Sequence, residues 1–228
     1  MSKSSDSETT YDLSGPLEFD ALTSVRPGSN ILISGPAMTG KEELALSILA
    51  DGSRQGQGAI VMTTGDPADQ VIAGYRERVD GLDEALFAVV DCRGDGDRST
   101  DRSAEGSYVH HVSSPGDLTG IGIGITKSLE RLANNGATSG RFALSSLSTM
   151  LTYTDKKTVF KFCHVLSSRF DSAGYLGLFT IDSGAHDEQT IQVIKQAFDG
   201  MIEIRERDGT REARVLGLAG KPTEWQEF

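Results

Sequence analysis

Residues 31–43 read Ile-Leu-Ile-Ser-Gly-Pro-Ala-Met-Thr-Gly-Lys-Glu-Glu, and they hold the residue types with the clearest chemical purpose. Gly35, Gly40 and Lys41 stand at the spacing of a phosphate-binding loop, G-x-x-x-x-G-K-[ST]. Each type has a reason to be there. The glycines reach the backbone angles that turn successive N–H groups inward to form an anion nest. A helix opening at Lys41 would direct its positive end at the phosphates, and Lys41 supplies a point charge for the β- and γ-phosphates. The candidate nucleotide-binding residues are therefore Gly35, Pro36, Ala37, Met38, Thr39, Gly40, Lys41 and Glu42. The last one departs from the pattern. A Ser or Thr hydroxyl there would ligate Mg²⁺ without adding charge, whereas Glu42 sets a carboxylate beside the phosphates. Glu42 takes the metal itself, since Mg²⁺ accepts carboxylate oxygens, or repels the nucleotide, or points away.

A loop of this kind needs a buried strand before it and a helix after it. The apolar run at 30–34 predicts the strand, and residues 41–50 predict the helix, with Gly52 and Gly56 marking its exit. The unalternating run at 59–64 predicts a strand covered on both faces, and residues 86–91 a third strand. Between them Asp69 is placed as the cap of a helix through Arg78. Residues 93–106 are rich in Asp, Arg, Gly and Ser and predict a flexible acidic insertion. Asp117 opens a further helix that must accommodate Gly120, Gly122 and Gly124. At about 1 kcal/mol for each glycine relative to Ala, the alternative is a turn, with the helix beginning near Ile125. Strands are expected at 141–145 and 175–181, a helix at 158–169, and a helix capped by Asp187. Two alternating runs around Asp208-Gly209 predict a hairpin. The fold class that follows is α/β, with a mainly parallel central sheet, helices on both faces and an antiparallel hairpin at one edge. One domain over 16–220 is expected, with a flexible tail at 1–15 and a second tail at 221–228.

The loop, the strand end Thr63-Thr64-Gly65-Asp66-Pro67, the run 142–148 (Phe-Ala-Leu-Ser-Ser-Leu-Ser) and the run 174–181 (Gly-Tyr-Leu-Gly-Leu-Phe-Thr-Ile) together resemble the KaiC-like branch of RecA-fold P-loop ATPases. The resemblance spans about residues 15–220. It implies a three-layer RecA-type core, ATP and Mg²⁺ at the carboxyl ends of the strands, and often a ring whose subunits complete one another's sites. It also exposes departures. Glu42 replaces the metal-binding hydroxyl. Gly65-Asp66 stands where the family carries paired glutamates, leaving Asp66 as the candidate catalytic residue. Ser145 stands where an Asp would order the metal shell. Gly217 and Ala219 fill the places of a Lys and an Arg that act on the neighbouring subunit's γ-phosphate. Asp182, at the end of the predicted fifth strand, joins Glu42 as a candidate metal ligand. An Asp after a strand is also a common turn residue.

Composition narrows the remaining classes. A net charge of −11 and a pI near 4.8 argue against general nucleic-acid binding. The same balance would also suit a salt-adapted cytoplasm, of the kind found in the archaea to which the family resemblance extends. Cys92 and Cys163 form no C-x-x-C pair, so neither a disulfide framework nor a zinc site is expected. The polar N-terminus does not read as a secretory signal and no window reaches the length of a membrane span, so a cytoplasmic location is expected. His110, His111, His164 and His186 lack metal-ligand spacing. Lys156, Lys157 and Lys161 read as a solvated helix face, and Trp225 and Phe228 could dock on the domain or on a partner. The leading expectation is a nucleotide-binding pseudo-ATPase with a regulatory or scaffold role and a homo-oligomeric or regulatory protein partner. Beside it stand an active ATPase using Glu42, Asp66 and Asp182, and an interaction module that binds no nucleotide.

Overall fold

The computed structural model describes residues 10–94 and 106–228. Most of the acidic insertion expected at 93–106 lies outside the described residues. Among the described residues the chain runs β1 (Asn30–Gly35), α1 (Lys41–Arg54), β2 (Gly58–Thr63), α2 (Ala68–Arg78), β3 (Phe87–Asp91), β4 (Tyr108–His111), α3 (Leu118–Asn134) and β5 (Gly140–Ser145). It continues through α4 (Leu147–Tyr153), α5 (Lys156–Ala173), β6 (Leu176–Asp182), α6 (Glu188–Ile194), β7 (Gly200–Arg207), β8 (Thr210–Leu216) and β9 (Gln226–Glu227).

The strands form one sheet in the order β4-β3-β2-β5-β6-β1-β7-β8-β9. From β4 to β7 every neighbour is parallel, while β8 and β9 pair antiparallel. The pleat divides the core in two. Ile31 and Ile33 face a cluster built from α1 and α2, and Leu32 faces the cluster of α3, α4, α5 and α6. The result is the expected three-layer α/β arrangement, with β1 buried along its whole length. In open α/β sheets ligands collect beyond the carboxyl ends of the strands. The glycine-bounded loop at 35–41 leaves β1 at that end.

Several local expectations are corrected. Helix α3 begins at Leu118, not near Ile125, and contains all three glycines. Asp117 caps it by accepting from Gly120 N. The glycine cost is offset by close packing: a Cβ at Gly124 would run into the His110 ring and approach Val90 at 3.1 Å. Asp69 does not cap α2. The cap position is Pro67, and the Ala68 N–H is satisfied by Asp91 Oδ2 at 3.2 Å. Strand β4 and helix α4 are additions to the expected elements.

Within the expected flexible tail at 1–15, Tyr11 and Leu13 are buried instead. Tyr11 forms a backbone bridge with Val25, and its hydroxyl reaches Gly174 O at 2.6 Å. Arg141 on β5 anchors the same stretch. It is fully buried, donating to Ile48 O at 2.6 Å, Gln57 Oε1 at 2.8 Å and Asp12 O at 3.2 Å. The stretch at 221–228 docks on the hairpin. Trp225 packs against the guanidinium groups of Arg205 and Arg214, which lie 4.0 and 4.6 Å from its ring centre. Among the described residues no helix is long and apolar enough to cross a membrane.

Candidate functional site

Strand β1 ends at Gly35, and a Cβ there would lie 2.9 Å from Ile204 O and 3.0 Å from Thr39 Oγ1, so the start of the loop has room only for glycine. Gly40 closes the loop with φ +85° as the residue before α1, a left-handed conformation that favours glycine. Met38 takes the same region at φ +60° and is 97% exposed at the loop tip. Inside the turn, the Pro36 carbonyl gathers two donors, Thr39 Oγ1 at 2.8 Å and Lys41 Nζ at 2.6 Å. Lys41 is 7% exposed, and burial lowers its pKa against the opposing pull of Asp182 and Glu42. A desolvated ammonium held at the N-terminus of a helix is a preorganised partner for an anion.

Lys41 opens onto a cavity of about 580 Å³ whose lining includes Glu42, Ser146, Ser148, Asp182 and Arg211. Asp182 is the last residue of β6 and the in-register neighbour of Gly35. Its Oδ1 accepts from Gly184 N at 2.8 Å, the side-chain turn bond expected of an Asp after a strand. Its position next to Lys41 gives it a second role as a charge in the cavity. Ser148 Oγ accepts from Asp182 N at 2.9 Å and lies 2.9 Å from His186 Nε2. The structure therefore brings together residues 35–42, Asp182, Ser148 and, through Ser148, His186.

The remaining expected residues lie apart from that cavity. Ser145 ends β5, with β6 between it and β1, and its carbonyl accepts from Thr64 N and Thr64 Oγ1, each at 2.8 Å. Exposed Asp66 lines a smaller cavity of about 220 Å³ with Ser145, Gln70 and Arg78, and Glu42 and Glu43 border both cavities. Glu43 is ion-paired with Arg78. Gly217 has φ +81°, and a Cβ there would lie 2.9 Å from Asp199 O, beside the start of β7. That is the end of the sheet away from the phosphate loop, so Gly217 and the loop holding Ala219 do not face Lys41 of their own chain. A larger cavity of about 750 Å³ at that far end, lined by Arg26, His164 and Asp171 among others, contains no loop residue.

A bound Mg²⁺·nucleotide is tested by the donor set. The Asp182 and Glu42 carboxylates and the Ser146 and Ser148 hydroxyls are oxygen donors of the kind Mg²⁺ accepts. Among the described residues no three His, Cys, Asp or Glu side chains gather to hold a metal by themselves. Mg²⁺ commonly keeps several waters and shares substrate phosphates, so two protein carboxylates fit it. Sequence reasoning passed over Arg211 and His186. Arg211 had no local signal, and His186 was judged only for metal spacing.

A family of unknown function, DUF7504, matches residues 28–204. Among solved structures the chain is similar to the KaiC-like protein PH0186 from the hyperthermophilic archaeon Pyrococcus horikoshii OT3. The TM-score is 0.60 at 15% identity, over 90% of this chain and 84% of that one. At that identity the likeness speaks for the fold, which is RecA-like and of the KaiC type. No curated protein matches the chain.

Proposed function

This chain belongs to the DUF7504 family, and we propose that it is a cytoplasmic nucleotide-binding protein with degraded ATPase chemistry and a regulatory or scaffold role. One observation carries the reading. Lys41 sits over a glycine-bounded turn at the mouth of a 580 Å³ cavity, while the ends of β5 and β2, farther along the sheet, hold Ser145 and Gly65 where the resemblance implies carboxylates.

When bound, Mg²⁺ would neutralise phosphate charge and be held by Asp182 and Glu42. Lys41 and the loop N–H groups would hold the phosphates, exchanging the Lys41–Pro36 bond for a charged partner. Glu43 is neutralised by Arg78, so Lys41 and Arg211 are balanced in the cavity by Asp182 and Glu42. A near-neutral cavity attracts a polyphosphate weakly, which supports low affinity. Phosphoryl transfer rests on positioning and charge neutralisation, and Ser145 and Gly65 contribute neither.

Titration with ATP·Mg²⁺ tests the reading: binding that disappears in Lys41→Ala supports it, and identical heats for both proteins would sink it. Asp182 favours one competing reading, an active ATPase, because it is paired in register with Gly35. That alternative requires Asp66→Asn to abolish turnover while leaving binding intact. A titration with no heat at all would instead favour an interaction module.

A further inference from the structure

Strand β8 begins at the same end of the sheet where the phosphate loop leaves β1. β7 runs parallel to β1, and β8 returns antiparallel beside it, with Arg211 opposite Glu206 near the turn. The side chain of Arg211 therefore projects at the level of the loop, and it reaches it. A Cβ built on Gly40 would lie 2.5 Å from Arg211 Nη1 and 3.7 Å from its Cζ. The same side chain lines the cavity with Lys41, Ser148 and Asp182.

Its neighbours on the hairpin are committed elsewhere. Arg205 is ion-paired with Glu212 at 2.6 Å, and Arg214 with Glu203 at 2.6 Å. Among the described residues Arg211 has no acidic partner, and its guanidinium is placed only by the Phe228 ring, 5.6 Å away. Phe228 is itself fixed, donating its N–H to Arg211 O at 3.2 Å just after β9 pairs with β8. An arginine without a carboxylate partner, held against Gly40 at the start of α1 and lining one cavity with a lysine, is arranged to receive a planar oxyanion through a bidentate contact.

We propose that Arg211 is a second phosphate-binding side chain of the loop, supplied by the same chain and positioned by Phe228. The ligand class is a nucleoside di- or triphosphate or another polyphosphate. The proposal rests on the nucleotide-binding reading above. It also says how a chain with Gly217 and Ala219 at the positions that would serve a neighbour obtains a second cation from within. Nucleotide binding at this site requires no partner subunit, and the docked stretch 221–228 becomes the element that sets its strength.

The test is titration of the full chain with ATP·Mg²⁺ and, separately, with inorganic tripolyphosphate, which lacks the base. Arg211→Gln is expected to weaken both probes about tenfold to a hundredfold. Arg211→Lys should recover part of that loss, and Phe228→Ala should give a smaller loss with the same pattern. Thermal unfolding without ligand should be unchanged in Arg211→Gln, which separates a binding role from a structural one. If Lys41→Ala abolishes binding while Arg211→Gln binds like the native chain, the loop stands and Arg211 is an ordinary surface residue. If the native chain binds neither probe, both proposals fall. Should Arg211→Gln fold poorly, the Lys variant and Phe228→Ala decide. Native affinity in both would overturn the assignment.

Discussion

Replacing Gly40 with alanine perturbs the backbone of the loop and the Arg211 guanidinium beside it without removing a charge from the chain. Gly40 adopts φ +85°, where a Cβ meets the backbone. Forcing alanine there destabilises a fold by roughly 1–2 kcal/mol, net of the entropy removed from the unfolded chain. The nearest atom to the new Cβ is Arg211 Nη1 at 2.5 Å, the far end of a flexible side chain that can move away. Sterics therefore add little to the folding cost and displace the cation instead. Gly56→Ala is the matched control. Gly56 has φ +76°, nothing lies within 4 Å of its would-be Cβ, and it sits past the far end of α1, roughly 20 Å from the loop. Both variants should lower the melting temperature by about 2–8 °C, taking about 2–4 °C per kcal/mol for a chain of this size. Only Gly40→Ala should weaken ATP·Mg²⁺ in calorimetric titration, by about tenfold or more for loss of one charged hydrogen bond. Equal affinities in the two variants would refute the claim that the Gly40 conformation builds the phosphate cradle.

Three other outcomes follow from single sites. Arg141→Ala removes three hydrogen bonds from a fully buried guanidinium and is expected to cost about 3–5 kcal/mol in urea unfolding. A loss below about 1 kcal/mol would contradict its role in clamping residues 11–13. Cys92 and Cys163 are buried, and burial pushes the Cys163 thiol up to about 12 and raises Cys92 as well. A chromogenic disulfide reagent at pH 8 should label neither thiol until the chain is unfolded, and prompt labelling of the native protein would be inconsistent with that core. Asp182→Asn removes a negative charge beside Lys41. It should tighten metal-free ATP and flatten the Mg²⁺ dependence of binding, whereas an unaltered Mg²⁺ dependence would remove Asp182 from the site.

What could be read from sequence was local. The strand–turn–helix at 30–54 was legible because an apolar run, two glycines and a lysine occupy one short window whose conformation is set almost entirely within it. The hairpin was legible for the same reason, through Asp208-Gly209. Helix α3 was half-misread because propensity charges each glycine separately, while the space Gly124 leaves for His110 appears only when β4 is in place. Strand β4, four residues long, and α4, seven, are too short to develop a clear period. The N-terminal stretch looked mobile from its polarity, yet Tyr11 is held by Gly174 and the Asp12 carbonyl by Arg141, more than a hundred residues away. Arg211 was invisible for the same physical reason. Its approach to Gly40 depends on β7 lying next to β1, a pairing that no short window of sequence records.

The central claim is that the loop still binds and no longer turns over. Measuring ATP·Mg²⁺ binding and phosphate release on the same preparation tests it most directly. The account predicts saturable binding that depends on Lys41, together with release slower than about one turnover per minute. Release near one per second, within the ordinary range for enzymes, and lost in Lys41→Ala, would contradict it.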